Sequence, residues 1–409
     1  MVSRCHIRDR HVYILGKPGM GKSTLMLNMI RQDIESGRGV GLIDPAGDLA
    51  EAALRYVPKS RVKDTIYFSP TECPIGIDFL SASDEMEKSL VADDLFVIFQ
   101  RLSDGGGPRM DAVLKRAIQL LVEVPGTVFH DLYKIFTDDY YRDMLIRKLP
   151  DESAQHFWRE VWPKYPHPVT EEPLVTRMSK FDSNKALRLI TSSVSGLSFH
   201  DVVQGGKIFI ANISKGVIGL DTSAILGALL VSQFQLAAFR RARLPKAQRT
   251  PYYLHIDEFQ NFKTSAFNEI IIEARKFQLC LTLANQKLRD LDESTRSSVE
   301  AVETMIFFRL TDDDARKFGG SIGSYKADDL MNLHPYYAII RPGRAADSRS
   351  FHVELPPRHA AATAMRSWLA RGKRIRRWCG RLRRRLAAMC CLGRHRSKPA
   401  TGTPQGYIS

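Results

Sequence analysis

Gly16-Lys17-Pro18-Gly19-Met20-Gly21-Lys22-Ser23 is the stretch on which the reading of this chain turns. It fits GxxxxGK[ST], a loop that wraps phosphate. Gly16, Gly19 and Gly21 let backbone N–H groups turn inward around phosphate oxygens, and the Lys22 ammonium neutralises β- and γ-phosphate charge. The Ser23 hydroxyl ligates Mg2+, and Thr24 completes the nucleotide-binding set, so ATP and Mg2+ are the expected cofactors. Such a loop works between a strand and a helix N-terminus. Both flank it: residues 11–15 are a short apolar run, and residues 22–36 carry Leu25, Met26, Met29 and Ile30 at helical spacing.

Working outward, the Gly37 and Gly39 stop signals precede a second strand at 40–43, and a third at 64–68 ends at Ser69 and Pro70. Strands alternating with helices predict an α/β fold with a parallel sheet. From about 84 to 192 the pattern turns helical, with Val91, Leu95, Ile98 and Leu102 on one face, and Asp84 with Glu87 resembles a capping-box start. Alternation then resumes: strand 207–213, helix 222–243, and strands 252–256, 279–283, 304–310 and 336–340, before Pro356 and Pro357 close the globular part. The expected organisation is a discontinuous sheet domain (1–80 and 195–360), an inserted all-α domain (81–194) and a tail (361–409).

A phosphate-binding loop needs a second carboxylate on the metal side. Tyr252-Tyr253-Leu254-His255-Ile256-Asp257-Glu258 supplies it, because a mostly apolar strand ends in two acids. Asp257 is placed to hold the Mg2+ water shell, and Glu258 to orient or deprotonate attacking water. The acidic pair favours ATP hydrolysis over simple nucleotide binding and argues against a small kinase. Asp44 and Asp48 follow the second strand in Asp-Pro and Gly-Asp turns and are read as structural. The 11 histidines form no HExxH or other regular ligand set, which argues against catalytic zinc.

With these motifs in place, the chain resembles a known family. The phosphate loop, the segment Gly41-Leu42-Ile43-Asp44-Pro45-Ala46-Gly47-Asp48-Leu49, the helical insertion and Ile256-Asp257-Glu258-Phe259-Gln260 are similar to the nucleotide-binding domain of TraG/TraD-type coupling proteins. These are RecA-like P-loop NTPases of the FtsK/HerA group, which serve conjugation and type IV secretion. Over roughly residues 10–345 the resemblance implies a hexameric ring that hydrolyses ATP and threads DNA, single-stranded or bound in a relaxosome, toward type IV secretion components. It also implies two further catalytic positions. Arg275, on the helix after the acidic pair, matches an arginine finger reaching the neighbouring subunit's γ-phosphate, with Lys276 as a rival. Gln286, at the end of the strand from Leu279, matches a polar γ-phosphate sensor. A HerA/FtsK-like translocase for repair, packaging or segregation shares the same motor, and a protein-secretion ATPase that binds no DNA belongs to a different class.

Composition bounds these readings. Sixty Lys+Arg against 45 Asp+Glu give +15, with 44% hydrophobic and 26% charged residues, which excludes disordered, collagen-like and disulfide-scaffold classes. The charge is uneven: residues 371–398 hold 12 basic residues and no acidic one, leaving only +3 for residues 1–370. In that segment Ile375, Cys379, Leu382, Leu386 and Met389 recur at helical spacing, which predicts a basic amphipathic helix. Its expected targets are an anionic membrane surface, DNA phosphates or the sheet domain itself. Six cysteines without metal spacing fit reduced thiols. Most coupling proteins carry a transmembrane region ahead of the motor, whereas here the phosphate loop begins at Gly16, as in a soluble variant or a reading frame that has lost its N-terminal part. The apolar run 224–239 also falls short of the roughly 20 residues that span a bilayer. The expectation is a cytoplasmic protein, peripheral to the inner membrane, with no transmembrane segment.

Overall fold

The computed structural model describes residues 10–101, 107–166, 171–194, 196–262, 265–343 and 350–355. Nine strands form one sheet in these residues: β1 (Val12–Leu15), β2 (Gly39–Asp44), β3 (Thr65–Phe68), β4 (Ile208–Asn212), β5 (Tyr252–Ile256), β6 (Leu279–Asn285), β7 (Thr304–Phe307), β8 (Tyr337–Arg341) and β9 (Phe351–Glu354). Their order is β3-β4-β2-β5-β6-β1-β7-β8-β9. The first seven positions pair in parallel, and β8 and β9 close the edge antiparallel. Every residue of β1, β2, β5, β6 and β7 is buried, which is why these strands read as continuous apolar runs rather than alternating ones.

Helix α1 (Lys22–Glu35) leaves the phosphate loop and buries Met26, Met29 and Ile30; α2 (Asp48–Leu54) follows β2. Between β3 and β4 the regular structure among the described residues is helical, led by α3 (Glu85–Arg101) and α4 (Pro108–Glu123). The start of α3 is capped as its sequence suggests, but the box closes one residue early. The Glu87 N–H donates to Asp84 (2.9 Å), while the Glu87 carboxylate accepts from the Ser83 N–H (2.8 Å) rather than from that of Asp84. The helical segment and the sheet share a continuous apolar core running from Tyr13 and Phe68 through Phe99 to Trp162.

The helix Leu220–Arg240 is central to that core. Together with the 3-10 turn reaching Arg243 it is the one helix among the described residues long and apolar enough to cross a membrane, so it outruns the apolar stretch the sequence suggested. Yet 78% of its apolar window is buried inside the protein. Gly227 on this helix lets the Phe262 ring approach so closely that a β-carbon would lie 2.1 Å from it.

Two expected elements differ, and one strand is additional. The strand from Thr304 stops at Phe307: the Phe308 N–H makes the last ladder bond, to the Leu15 carbonyl, and beyond it the Arg309 carbonyl accepts from the Lys17 N–H of the phosphate loop. β9 is an additional strand, too short and too close to the closing prolines to stand out by pattern. Arg275 lies on a 3-10 turn (Ala274–Phe277), not on the preceding helix Ser265–Glu273. The turn tightens there as Gln278 enters the left-handed region (φ 61°) and donates its N–H to the Arg275 carbonyl (3.0 Å). The basic helix expected in 361–409 lies outside the described residues.

Candidate nucleotide-hydrolysis site

Three neighbouring strands, β5, β6 and β1, end on the same edge of the sheet. Parallel sheets bind ligands at their carboxyl ends, so Ile256, Asn285 and Leu15 deliver the acidic pair, Gln286 and the phosphate loop side by side. The chain ties this edge together: the Tyr13 hydroxyl donates to Asn285 Oδ1 (2.6 Å), and the Gly16 N–H reaches the Asn285 carbonyl (3.4 Å).

Within the loop, Gly19 (φ 77°) and Gly21 (φ 113°) adopt left-handed backbone that side chains disfavour. Gly16 is required for a different reason: a β-carbon there would lie 2.5 Å from that of Phe308. The loop is strapped from outside by residues that carry no motif. The Lys17 N–H donates to the Arg309 carbonyl, and the Tyr336 N–H to the Met20 carbonyl (both 2.8 Å). Tyr336 itself sits at φ 69°, a costly conformation for an aromatic residue. Lys22 donates to the carbonyls of Gly16 (2.6 Å) and Lys17 (3.2 Å), and burial lowers its pKa against the opposing pull of Glu258 and Asp257. Thr24 is buried in the first turn of α1.

Ser23 and Asp257, 234 residues apart, meet here: the Ser23 hydroxyl donates to Asp257 Oδ2 (3.2 Å). Two oxygen donors beside a loop shaped for phosphate suit Mg2+, a hard cation that takes oxygen ligands. Asp257 is only 4% exposed. Burial first, then the negative charges of Asp44 and Glu258, push its carboxyl up to about 6, while Lys22 and the Ser23 hydroxyl pull it back.

Glu258 sits at φ 47°, and non-glycine residues held in this region cost about 1–3 kcal/mol, typically at functional sites. Its two oxygens are held by two amides. Gln286 Nε2 donates to Oε1 (2.7 Å), and Gln260 Nε2 donates to Oε2. The motif Ile256-Asp257-Glu258-Phe259-Gln260 gives Gln260 no role of its own; two residues past a strand-end acid, it falls where a turn folds back on that acid. Asp44 accepts from the N–H groups of Ala46 and Ala50 (both 2.9 Å) and so organises the turn into α2, as expected, but its charge also bears on Asp257. Asp48 is exposed in the first turn of α2.

Arg275 is not brought to this edge. It precedes β6 while Gln286 follows it, so the seven residues of that strand, about 20 Å, separate the two in the same chain. Its side chain is 51% exposed and donates to Glu303 (3.2 Å). Lys276 pairs with Glu273 on the same turn.

The chain matches no family model and no curated protein. Among solved structures it is similar to the bacterial conjugative coupling protein TrwBdeltaN70 in its unbound monoclinic form, at 15% identity and TM-score 0.61, covering 86% of this chain and 85% of that one. It is also similar to the plasmid coupling protein TrwB in complex with the non-hydrolysable ATP analogue ADPNP (16% identity, TM-score 0.60, 86% of each chain). VirB4 of Thermoanaerobacter pseudethanolicus is a third such structure (15% identity, TM-score 0.62, 87% of this chain and 91% of that one). At these identities the likeness is one of architecture: this chain has the α/β fold of the RecA-like P-loop NTPases.

Proposed function

We propose that this protein is an ATP-hydrolysing motor of the conjugative coupling type, which assembles as a ring and moves DNA toward a type IV secretion apparatus. The observation that carries the reading is the meeting of Ser23 with Asp257 beside a Glu258 held by two amides, a hydrolytic rather than a merely binding arrangement. The likeness to TrwB, solved both with an ATP analogue and with ADP and Mg2+, supports ATP and Mg2+ as the cofactors.

The geometry supports the following roles. Backbone N–H groups between Gly16 and Ser23 bind phosphate oxygens, with Thr24 behind them, and Lys22 exchanges its carbonyl partners for β- and γ-phosphate. Ser23 and Asp257 would hold Mg2+, which would supply charge neutralisation on the phosphates. Glu258 accepts the proton of the attacking water on a carboxylate oxygen whose second lone pair the amides leave free. Gln286, hydrogen-bonded to that carboxylate, reports γ-phosphate occupancy to it. Arg275, remote from its own loop, acts on the nucleotide of the next subunit, which makes hydrolysis depend on assembly as a homo-hexamer. The helical segment 81–194 is the part we assign to engaging DNA or relaxosome proteins, and the basic tail to contact with anionic membrane.

Hydrolysis measured with and without single-stranded DNA tests this. DNA should stimulate the wild-type rate, and Lys22→Ala and Glu258→Gln should each lower it about 100-fold or more. A rate indifferent to DNA but still lost in both variants would redirect the reading to a protein-secretion ATPase.

A further inference from the structure

At the amino ends of β1, β6 and β7, opposite the phosphate loop, lies a cleft of about 770 Å³ lined by Arg10, His11, Ile272, Arg275, Glu303 and Arg341 among others. Glu303 is its electrostatic centre. One carboxylate serves two guanidinium groups: Arg10 pairs with Oε1, and Arg275 donates to Oε2 (3.2 Å). The carboxylate is wedged in place, since a β-carbon at Gly343 would lie 2.2 Å from Glu303 Cγ. The backbone carrying Arg275 is equally fixed. Arg249 donates to the Lys276 carbonyl (3.0 Å), and the buried Arg241 to the Phe277 carbonyl (3.2 Å). What is left free to move is the half-exposed Arg275 side chain, held at its tip by one carboxylate oxygen.

We propose that Glu303 is a positioning residue for hydrolysis. It holds Arg275 in cis through Oε2 until a nucleotide-loaded second copy of this chain takes the guanidinium, and Arg10 on Oε1 keeps the carboxylate paired when Arg275 leaves. The inference rests on reading Arg275 as the residue that acts in trans. Exposed ion pairs are weak enough to be exchanged for a phosphate contact, and a charge that retains one partner is not stranded by the exchange. Arg10 and Arg275 therefore share Glu303, one on each oxygen, and the charge is left unpaired on release of Arg275 only when Arg10 is missing. Removing the carboxylate frees Arg275, whereas removing Arg10 leaves Glu303 to Arg275 alone.

The readout is the concentration of full-length protein that gives half the plateau rate of ATP hydrolysis. Glu303→Gln should lower it about two- to fivefold, and Arg10→Ala should raise it by a similar factor. Opposite shifts from two partners of one ion pair are not produced by loss of a merely structural bridge, which would weaken assembly in both. Shifts in the same direction, or no shift in Glu303→Gln, overturn the inference. If Arg275→Ala keeps wild-type activity, the trans reading itself fails and the inference with it. If Arg275→Ala is inactive while the opposite shifts are missing, only the role of Glu303 is refuted.

Discussion

Asp257 is a buried carboxylate whose ionisation bears on stability, and in the proposed mechanism on hydrolysis as well. Its pKa rises from 3.8 to about 6 because burial and the neighbouring negative charges disfavour its ionised form. The folded, metal-free protein then binds this proton more tightly than the unfolded chain does. The stabilisation is fully present below pH 3.8 and is lost as pH rises through about 6. Asp257→Asn removes the charge, so it should stabilise the metal-free protein by about 2–3 kcal/mol near neutral pH and by almost nothing near pH 3.5, while abolishing hydrolysis. Thermal melts of both proteins across that range check the sign; a difference independent of pH would contradict it. Gln260 makes a second prediction at this scale. Losing its amide leaves Glu258 held only by Gln286, so Gln260→Ala should reduce kcat about 10- to 100-fold with nucleotide affinity nearly unchanged.

The helix Leu220–Arg240 decides what lies beneath the acidic pair. Gly227 admits the Phe262 ring, and Phe262 ends the turn Phe259–Phe262 that carries Gln260 directly after Glu258. A methyl group at 227 must displace that ring. Gly227→Ala should therefore cost about 1–3 kcal/mol of stability through overpacking and lower kcat as the turn shifts, readable by denaturant melts and single-turnover hydrolysis. Helix propensity alone predicts the opposite sign, since alanine is the better helix former by about 1 kcal/mol. The same helix illustrates why composition does not assign a membrane segment: its apolar length satisfies a bilayer or a protein core, and the packing around it selects the core.

At the scale of the whole molecule, the sheet separates the two halves of the proposed catalytic apparatus. Lys22, Ser23, Asp257, Glu258 and Gln286 stand at one end of the strands, and Arg275 with Glu303 at the other. A single subunit cannot bring them together, so Lys22→Ala and Arg275→Ala subunits, each inactive alone, should regain hydrolysis when mixed. Each contributes to a mixed ring the half that the other lacks. No recovery on mixing, with both variants folded, would show that hydrolysis needs no residue from a neighbour.

The phosphate loop was legible because its chemistry is local: left-handed glycines, a lysine and a hydroxyl all lie within one turn between a strand and a helix. The apolar run ending in Asp257 and Glu258 was legible for the same reason. The supports around them were not. Phe308, Arg309 and Tyr336 strap the loop through backbone hydrogen bonds and close packing, which leave no side-chain pattern to read. Residue types and short-range spacing therefore determined which groups can bind phosphate and carry protons. Parallel crossovers, which bring distant strand ends onto one edge of the sheet, determined which of those groups meet. That Ser23 meets Asp257, 234 positions away in sequence, while Arg275 stays a strand's length from its own loop, follows from which strands lie side by side and which end each group occupies, a property no local stretch of the chain encodes.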